Sequence, residues 1–158
     1  MTSPALKLFR RLGGSTPGRW LFSRLVCRRA PYFDSIAPHV NVLEPGRCVV
    51  RMRDRRAVRN HIGSVHAIAL CNMAELAGGL ATDATIPDAM RWIPKGMRVR
   101  YLAKAHGVMT ATAIVPAIDD ATAAQELNTH VDVCDEAGTL VFDADIAMWV
   151  SPRRTEQA

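Results

Sequence analysis

Asn60–Leu80 reads NHIGSVHAIALCNMAELAGGL. Downstream of His66 its only charged residue is Glu75. From Ser64 onward Ala, Ile, Leu, Met and Cys dominate, and they fall all round a helix rather than along one stripe. A helix of that kind is covered on most sides. The pattern therefore predicts a long buried helix enclosed by other elements, with Gly78-Gly79 and Thr82-Asp83 fraying or ending it. Carboxylates set alone in apolar segments often serve as general bases or nucleophiles, because their surroundings change when they hold a proton. Glu75 is a catalytic candidate on that ground, and Asn60, His66 and a small-residue turn accompany it.

Upstream of this stretch, RCVVRMR (47–53) alternates: Cys48, Val50 and Met52 face one way, and Arg47, Val49, Arg51 and Arg53 the other. That period of two predicts a half-covered strand. Downstream, MRVRYLAKA (97–105) sets Met97, Val99 and Tyr101 against Arg98 and Arg100. GVMTATAIVPAI (107–118) is β-branched and small, and residues 126–150 read as a hairpin with Asp135-Glu136-Ala137-Gly138 at its turn. In its second arm Phe142, Ala144, Ile146, Met148 and Val150 share one face, with Asp143 and Asp145 on the other. Near the start, PALKLFRRLGG predicts a short amphipathic helix ending at Gly13-Gly14. A second helix, WLFSRLVCRRAP, presents Trp20, Leu21, Leu25 and Cys27 as its packing stripe and stops at Pro31. The expected order is two helices, a strand, the long helix and four strands, the last four forming a meander. The class is α+β. The long helix's remaining flank and the free sheet edge are expected to meet a second copy.

The 158 residues suit a single domain over 1–158, with a helical extension over 1–40 and a flexible tail over 151–158. No apolar run approaches the ~18 residues of a membrane span, and Arg24 interrupts the one segment resembling a signal peptide. Cys27, Cys48, Cys71 and Cys134 are scattered, as expected for reduced core thiols of a cytoplasmic protein. HExxH, Walker and GxGxxG motifs are absent, so neither a metal nor a cofactor is expected. Residues 1–60 hold 13 Lys/Arg against three acids, and residues 61–158 hold seven against 12. A basic half of that kind suits an anionic partner or a solvated face. Without aromatic interleaving or a known module, nucleic acid is not the expected partner, and neither is a membrane.

The motif N-x-x-G-x-x-H-A, leading into an apolar helix with an acid nine residues after the His, resembles the hot-dog fold thioesterases. It is most similar to the phenylacetyl-CoA thioesterase-like branch. The resemblance spans roughly residues 40–150 and takes in WIPKGMRVRYLAKAHG and the last hairpin. It implies an antiparallel sheet wrapped round a long central helix, an acyl-CoA substrate, and a homodimer or dimer of dimers. Asn60, Gly63, His66, Ala67 and Glu75 stand where the family has Asn, Gly, His, Gly and Asp or Glu. By that match Glu75 activates water or attacks the thioester carbon, and the Ala67 N–H polarises the carbonyl. His66 orients the turn or the carbonyl, and Asn60 positions water or the acid. Ala67 and Ile68 replace the family's two glycines, and Pro94 stands where the second strand usually has Ser or Thr.

Asn72, close before Glu75, is a hydrogen-bonding candidate at the pocket edge. Among Arg51, Arg53, Arg55, Arg56, Arg59, Arg98, Arg100 and Lys104, the favoured ligands of coenzyme A phosphates are Arg56, Arg59 and Arg100, which flank the motif and the second strand. Asp143 and Asp145 are candidates to pair with that set. Two other readings remain open. A hot-dog hydratase would use His61 and Glu75, although the expected proline-rich turn between them is missing. An acyl-CoA-binding protein would keep the fold without turnover.

Overall fold

The long buried helix α3 runs Ala67–Thr85 in the computed structural model, which describes residues 3–118 and 122–153. It begins three residues later than the apolar run, because His66 adopts an extended backbone and caps it. Gly78 and Gly79 do not end it. A Cβ on Gly78 would lie 3.0 Å from the Ile146 Cδ1, and one on Gly79 would lie 2.7 Å from the Trp92 ring. The two glycines are therefore points of close approach, where sheet and indole press against the helix backbone. The helix stops at Ile86, ahead of Pro87.

Six strands enclose α3: β1 (His39–Glu44), β2 (Arg47–Met52), β3 (Met90–Tyr101), β4 (Met109–Ile114), β5 (Gln125–Cys134) and β6 (Leu140–Pro152). They form one antiparallel sheet in the order β1-β2-β4-β5-β6-β3, and every strand touches α3. The expected meander is corrected on this point. β3 does not pair with β4 but crosses to the far edge and pairs with β6, from Met90 opposite Pro152 to Tyr101 opposite Phe142. The reason lies in burial: the inner residues of β6, Phe142 to Val150, are covered by α3 while β5 lies along one side. The other side of β6 needs a partner, and β3 supplies it. β3 also starts at Met90, well before residue 97, and accommodates Pro94 with a register shift between Pro94 and Gly96. The 135–138 turn is as expected, with Gly138 at φ 83°. Of the tail, Ser151 and Pro152 belong to β6, while 154–158 lies outside the described residues.

Two helices precede the sheet: α1 (Pro4–Leu12), capped by Ser3, and α2 (Thr16–Arg29), capped by Ser15. The packing face of α2 differs from the expected stripe. Phe22, Ser23 and Cys27 are buried, whereas Trp20, Leu21 and Leu25 face outward, Trp20 being 58% exposed. Phe22 sets the rotation by meeting Phe9 edge-on at 5.0 Å. Ser23 then reaches β1, its Oγ accepting the Val40 N–H at 2.8 Å and donating to the Arg19 carbonyl at 2.7 Å. β1, which sequence alternation did not reveal, thus has its outer edge covered by α2. A six-residue 3-10 turn, Pro31–Ile36, links α2 to β1, and a shorter one, Arg56–Val58, precedes the 60–64 loop. No described helix is long and apolar enough to cross a membrane.

Candidate active site

The loop before α3 is built by Asn60. Its Oδ1 accepts the Ile62 and Ser64 N–H groups, both at 3.1 Å, and its Nδ2 donates to the Ser64 Oγ at 2.9 Å. Gly63 takes φ 81°, which a side chain would resist, and its N–H closes the turn on the Asn60 carbonyl at 3.1 Å. All the polar atoms of Asn60 are thus engaged within its own loop. His66 follows, anchored by its N–H on the Val58 carbonyl at 2.7 Å. Its Nδ1 accepts the Ile68 N–H at 3.0 Å, so the capping tautomer carries its proton on Nε2. The Ala67 N–H donates to nothing among the described residues. It is a free donor at the positive end of a 19-residue helix.

His66, Ile68 and Asn72 line a cleft of about 160 Å³ together with Tyr32, Ser35 and Arg59. Asn72 is 6% exposed. Its Nδ2 donates to the Ser35 Oγ at 3.0 Å, and its Oδ1 is buried with no partner. Glu75 lies on the same helix, one turn after Cys71 and outside the lining of this cleft. It is half-buried, and its carboxylate makes no hydrogen bond or ion pair among the described residues. The Cys71 Sγ meets the Tyr101 hydroxyl of β3 at 3.4 Å. That hydrogen bond, with burial, pushes Tyr101 up to about 12. β3 therefore offers a hydroxyl to the helix face that carries Glu75, at a position other than Pro94. Tyr101 was within reach of the sequence reading, because it shares its strand face with Met97 and Val99, which border the core.

The three favoured arginines do not converge. Arg59 lines the small cleft, but its Nε binds Asp54 at 2.6 Å. Arg100 grips Asp143 through two bonds, Nε to Oδ1 at 2.9 Å and an Nη to Oδ2 at 2.5 Å. Asp143 is buried beneath that guanidinium, which holds its carboxyl below the usual carboxylate range. Arg56 is exposed on the turn before the loop. Asp145 hydrogen-bonds His130 at 2.7 Å. His61 is exposed on the 60–64 loop and lines neither described cleft.

A curved antiparallel sheet around one helix, with a capped, donor-bearing start to that helix, defines the hot-dog fold of the thioesterase superfamily. Within it, the chain belongs to the family described as domain of unknown function DUF4442, whose model matches residues 18–150. A structural-genomics crystal structure is 43% identical, covering 94% of this chain and 98% of its own, with a TM-score of 0.81. A Pseudomonas aeruginosa protein of unknown function, called a probable thioesterase, is 25% identical over 83% of this chain and 93% of its own, at a TM-score of 0.73. A variant of the phenylacetic acid degradation protein PaaI from Thermus thermophilus shares the fold at 21% identity and a TM-score of 0.65, covering 75% and 97%. No curated protein sequence matches the chain.

Proposed function

We propose that this protein is an acyl-CoA thioesterase, hydrolysing the thioester of a fatty or aryl acyl-CoA by Glu75-assisted attack of water. The observation that carries the reading is the helix itself: an unpaired, half-buried carboxylate at Glu75 on the same element as the unclaimed Ala67 N–H. In this mechanism Glu75 removes a proton from water as the oxygen adds to the thioester carbon. The carbonyl oxygen gains negative charge and is stabilised by the Ala67 N–H and the helix dipole. His66, with its proton on Nε2, donates to the same oxygen or to the acyl group beside it. Collapse of the tetrahedral species breaks the C–S bond, and the proton held by Glu75 passes to the departing sulfur. The products are a carboxylic acid and a free thiol. Asn60 acts by shaping the loop, with Gly63, and Asn72 offers its free amide atom to the bound acyl group or a water. Arg56 remains an unpaired candidate for phosphate; Arg59 holds Asp54 through Nε alone and keeps its Nη atoms for an anion, whereas Arg100 gives Asp143 both its Nε and an Nη.

A second copy completes this reading. β3 is the uncovered edge of the sheet, with Ile93 and Tyr101 more than half exposed, and strand-to-strand pairing there would give a homodimer, with a dimer of dimers as its extension. The four cysteines are free, which suits a reducing cytoplasmic setting.

The test is thiol release from a panel of acyl-CoAs, acetyl to palmitoyl with one aryl member, for the native protein and Glu75→Gln. Turnover that collapses in the variant supports the reading, and the chain-length profile bounds the acyl slot. Binding without thiol release in any case would replace it with an acyl-CoA-binding protein.

A further inference from the structure

A second, larger cleft of about 820 Å³ lies between α2 and the β1–β2 edge. Five arginines line it, Arg19, Arg24, Arg51, Arg53 and Arg55, and no Asp or Glu does. Arg24 alone among them has a carboxylate, Asp34 at 2.5 Å. The exposed side chains of Arg51 and Arg53 make no hydrogen bond or ion pair among the described residues. The Nε atoms of Arg19 and Arg55 are buried without an acceptor, while the Arg19 Nη groups donate to the Gly13 carbonyl at 3.0 Å and the Thr16 Oγ1 at 3.1 Å. Like charges gathered this closely repel one another, and buried donors left unpaired are costly. Such a wall makes physical sense when an anion fills it. Guanidinium forks suit phosphate because they can bind two of its oxygens at once. The exposed indole of Trp20 lines the same cleft, so the occupant carries a flat ring as well as negative charge. The volume falls within the roughly 300–1,000 Å³ of small-molecule sites. A single-stranded nucleic acid would need successive aromatic platforms, and the cleft has one.

We propose that this cleft is a nucleotide-binding site, with phosphates held by Arg51 and Arg53 and the base set against Trp20. It adjoins the candidate active site through one residue. The Ser35 carbonyl accepts from an Arg55 Nη at 2.6 Å on the large-cleft side, and its Oγ accepts from Asn72 on the small-cleft side. Two sources supply such a ligand. One is the adenosine bisphosphate end of coenzyme A, an assignment that rests on the thioesterase reading. The other is a free nucleotide, which does not.

The test is calorimetric titration of the full chain with adenosine 3′,5′-bisphosphate, coenzyme A, ADP, inorganic pyrophosphate and a short RNA oligomer. The native protein is compared with the exposed-site variants Arg51→Ala/Arg53→Ala and Trp20→Ala, each checked for an unchanged melting temperature. Nucleotide affinity is expected to fall at least about tenfold in the double arginine variant. Trp20→Ala is expected to weaken nucleotides but not pyrophosphate. Competition between coenzyme A and the bisphosphate for one site assigns the coenzyme source, whereas binding of ADP but not coenzyme A assigns the free nucleotide. The proposal is overturned by any of three results: no nucleotide binding at millimolar concentration, binding indifferent to both variants, or binding of the RNA alone. Thiol release from a truncated thioester lacking the nucleotide is measured in parallel. Its loss would count against the thioesterase alone, and its persistence without nucleotide binding would count against the cleft alone.

Discussion

The two halves of α3 are made of the same kinds of residue and have opposite surroundings. From Leu76 to Thr82 every residue is buried, the glycines admit Ile146 and Trp92, and the Thr82 hydroxyl turns back to the Gly78 carbonyl at 2.8 Å. From Ala67 to Glu75 the helix keeps a partly open face, with Ile68 55% exposed, a free N–H at its start and an unpaired carboxylate at its end. The rear half is committed to the sheet, and the front half keeps an open face and unpaired polar groups. A single element can do both because the strands close over one end more tightly than the other.

The contrast breaks most visibly at Glu75. Glu75→Gln is expected to lower thiol release by about 10²–10⁴-fold, the range of a lost general base, while the denaturant midpoint stays nearly fixed. A large fall in stability would make Glu75 part of the structural half. The reverse is expected at Gly79. Gly79→Leu places a side chain where Trp92 already sits and should cost about 1–3 kcal/mol by urea unfolding. Adding Trp92→Ala should recover part of that loss, and a double variant that loses the sum of both would refute the close-approach account. His66 sharpens the comparison because it caps and lines the cleft at once. His66→Ala should lose about 0.5–2 kcal/mol of stability, whereas His66→Asn should restore the cap without restoring turnover.

The smallest effect lies in the sheet. Arg100 lowers the Asp143 carboxyl, so that pair contributes stability that is present above the ordinary carboxylate range and lost as pH falls through the folded-state value. The Asp145 hydrogen bond raises His130, whose contribution is present below its unfolded value near 6.5 and lost as pH rises through the folded one. Asp143→Asn should flatten the acid limb of a melting-temperature profile and leave the neutral limb in place.

The fold was readable where periodicity and burial agree: the apolar helix, the alternating RCVVRMR strand and the last hairpin. It was misread where a local signal had a tertiary purpose. Gly78-Gly79 looks like a stop, but it is the place where two partners come close. Trp20, Leu21 and Leu25 look like a packing stripe, yet Phe22 fixes α2 the other way. The position of β3 depends on which strand of the hairpin lacks a neighbour, and no local pattern reports that. Of the candidate site, the sequence pointed to the start of α3 and to Glu75 on it, with Asp83 the helix's other acid. It named Asp143 as a partner for the arginines, and Arg100 takes it, but it did not anticipate that Asn60 spends its amide on its own loop or that Arg59 binds Asp54. Which of the arginines meets Asp143, 43 positions from Arg100, leaves no periodic trace.

The Ser23 hydroxyl on the Val40 N–H makes the sheet directional. With α2 lying along β1, only β3 presents an uncovered edge. A sheet open at both ends can add copies without limit and grow toward a fibre. One stopped at β1 keeps a single free edge, at β3. By occupying the Val40 N–H, the serine blocks the addition of a further strand at β1, in the hydrogen-bonding direction across the sheet.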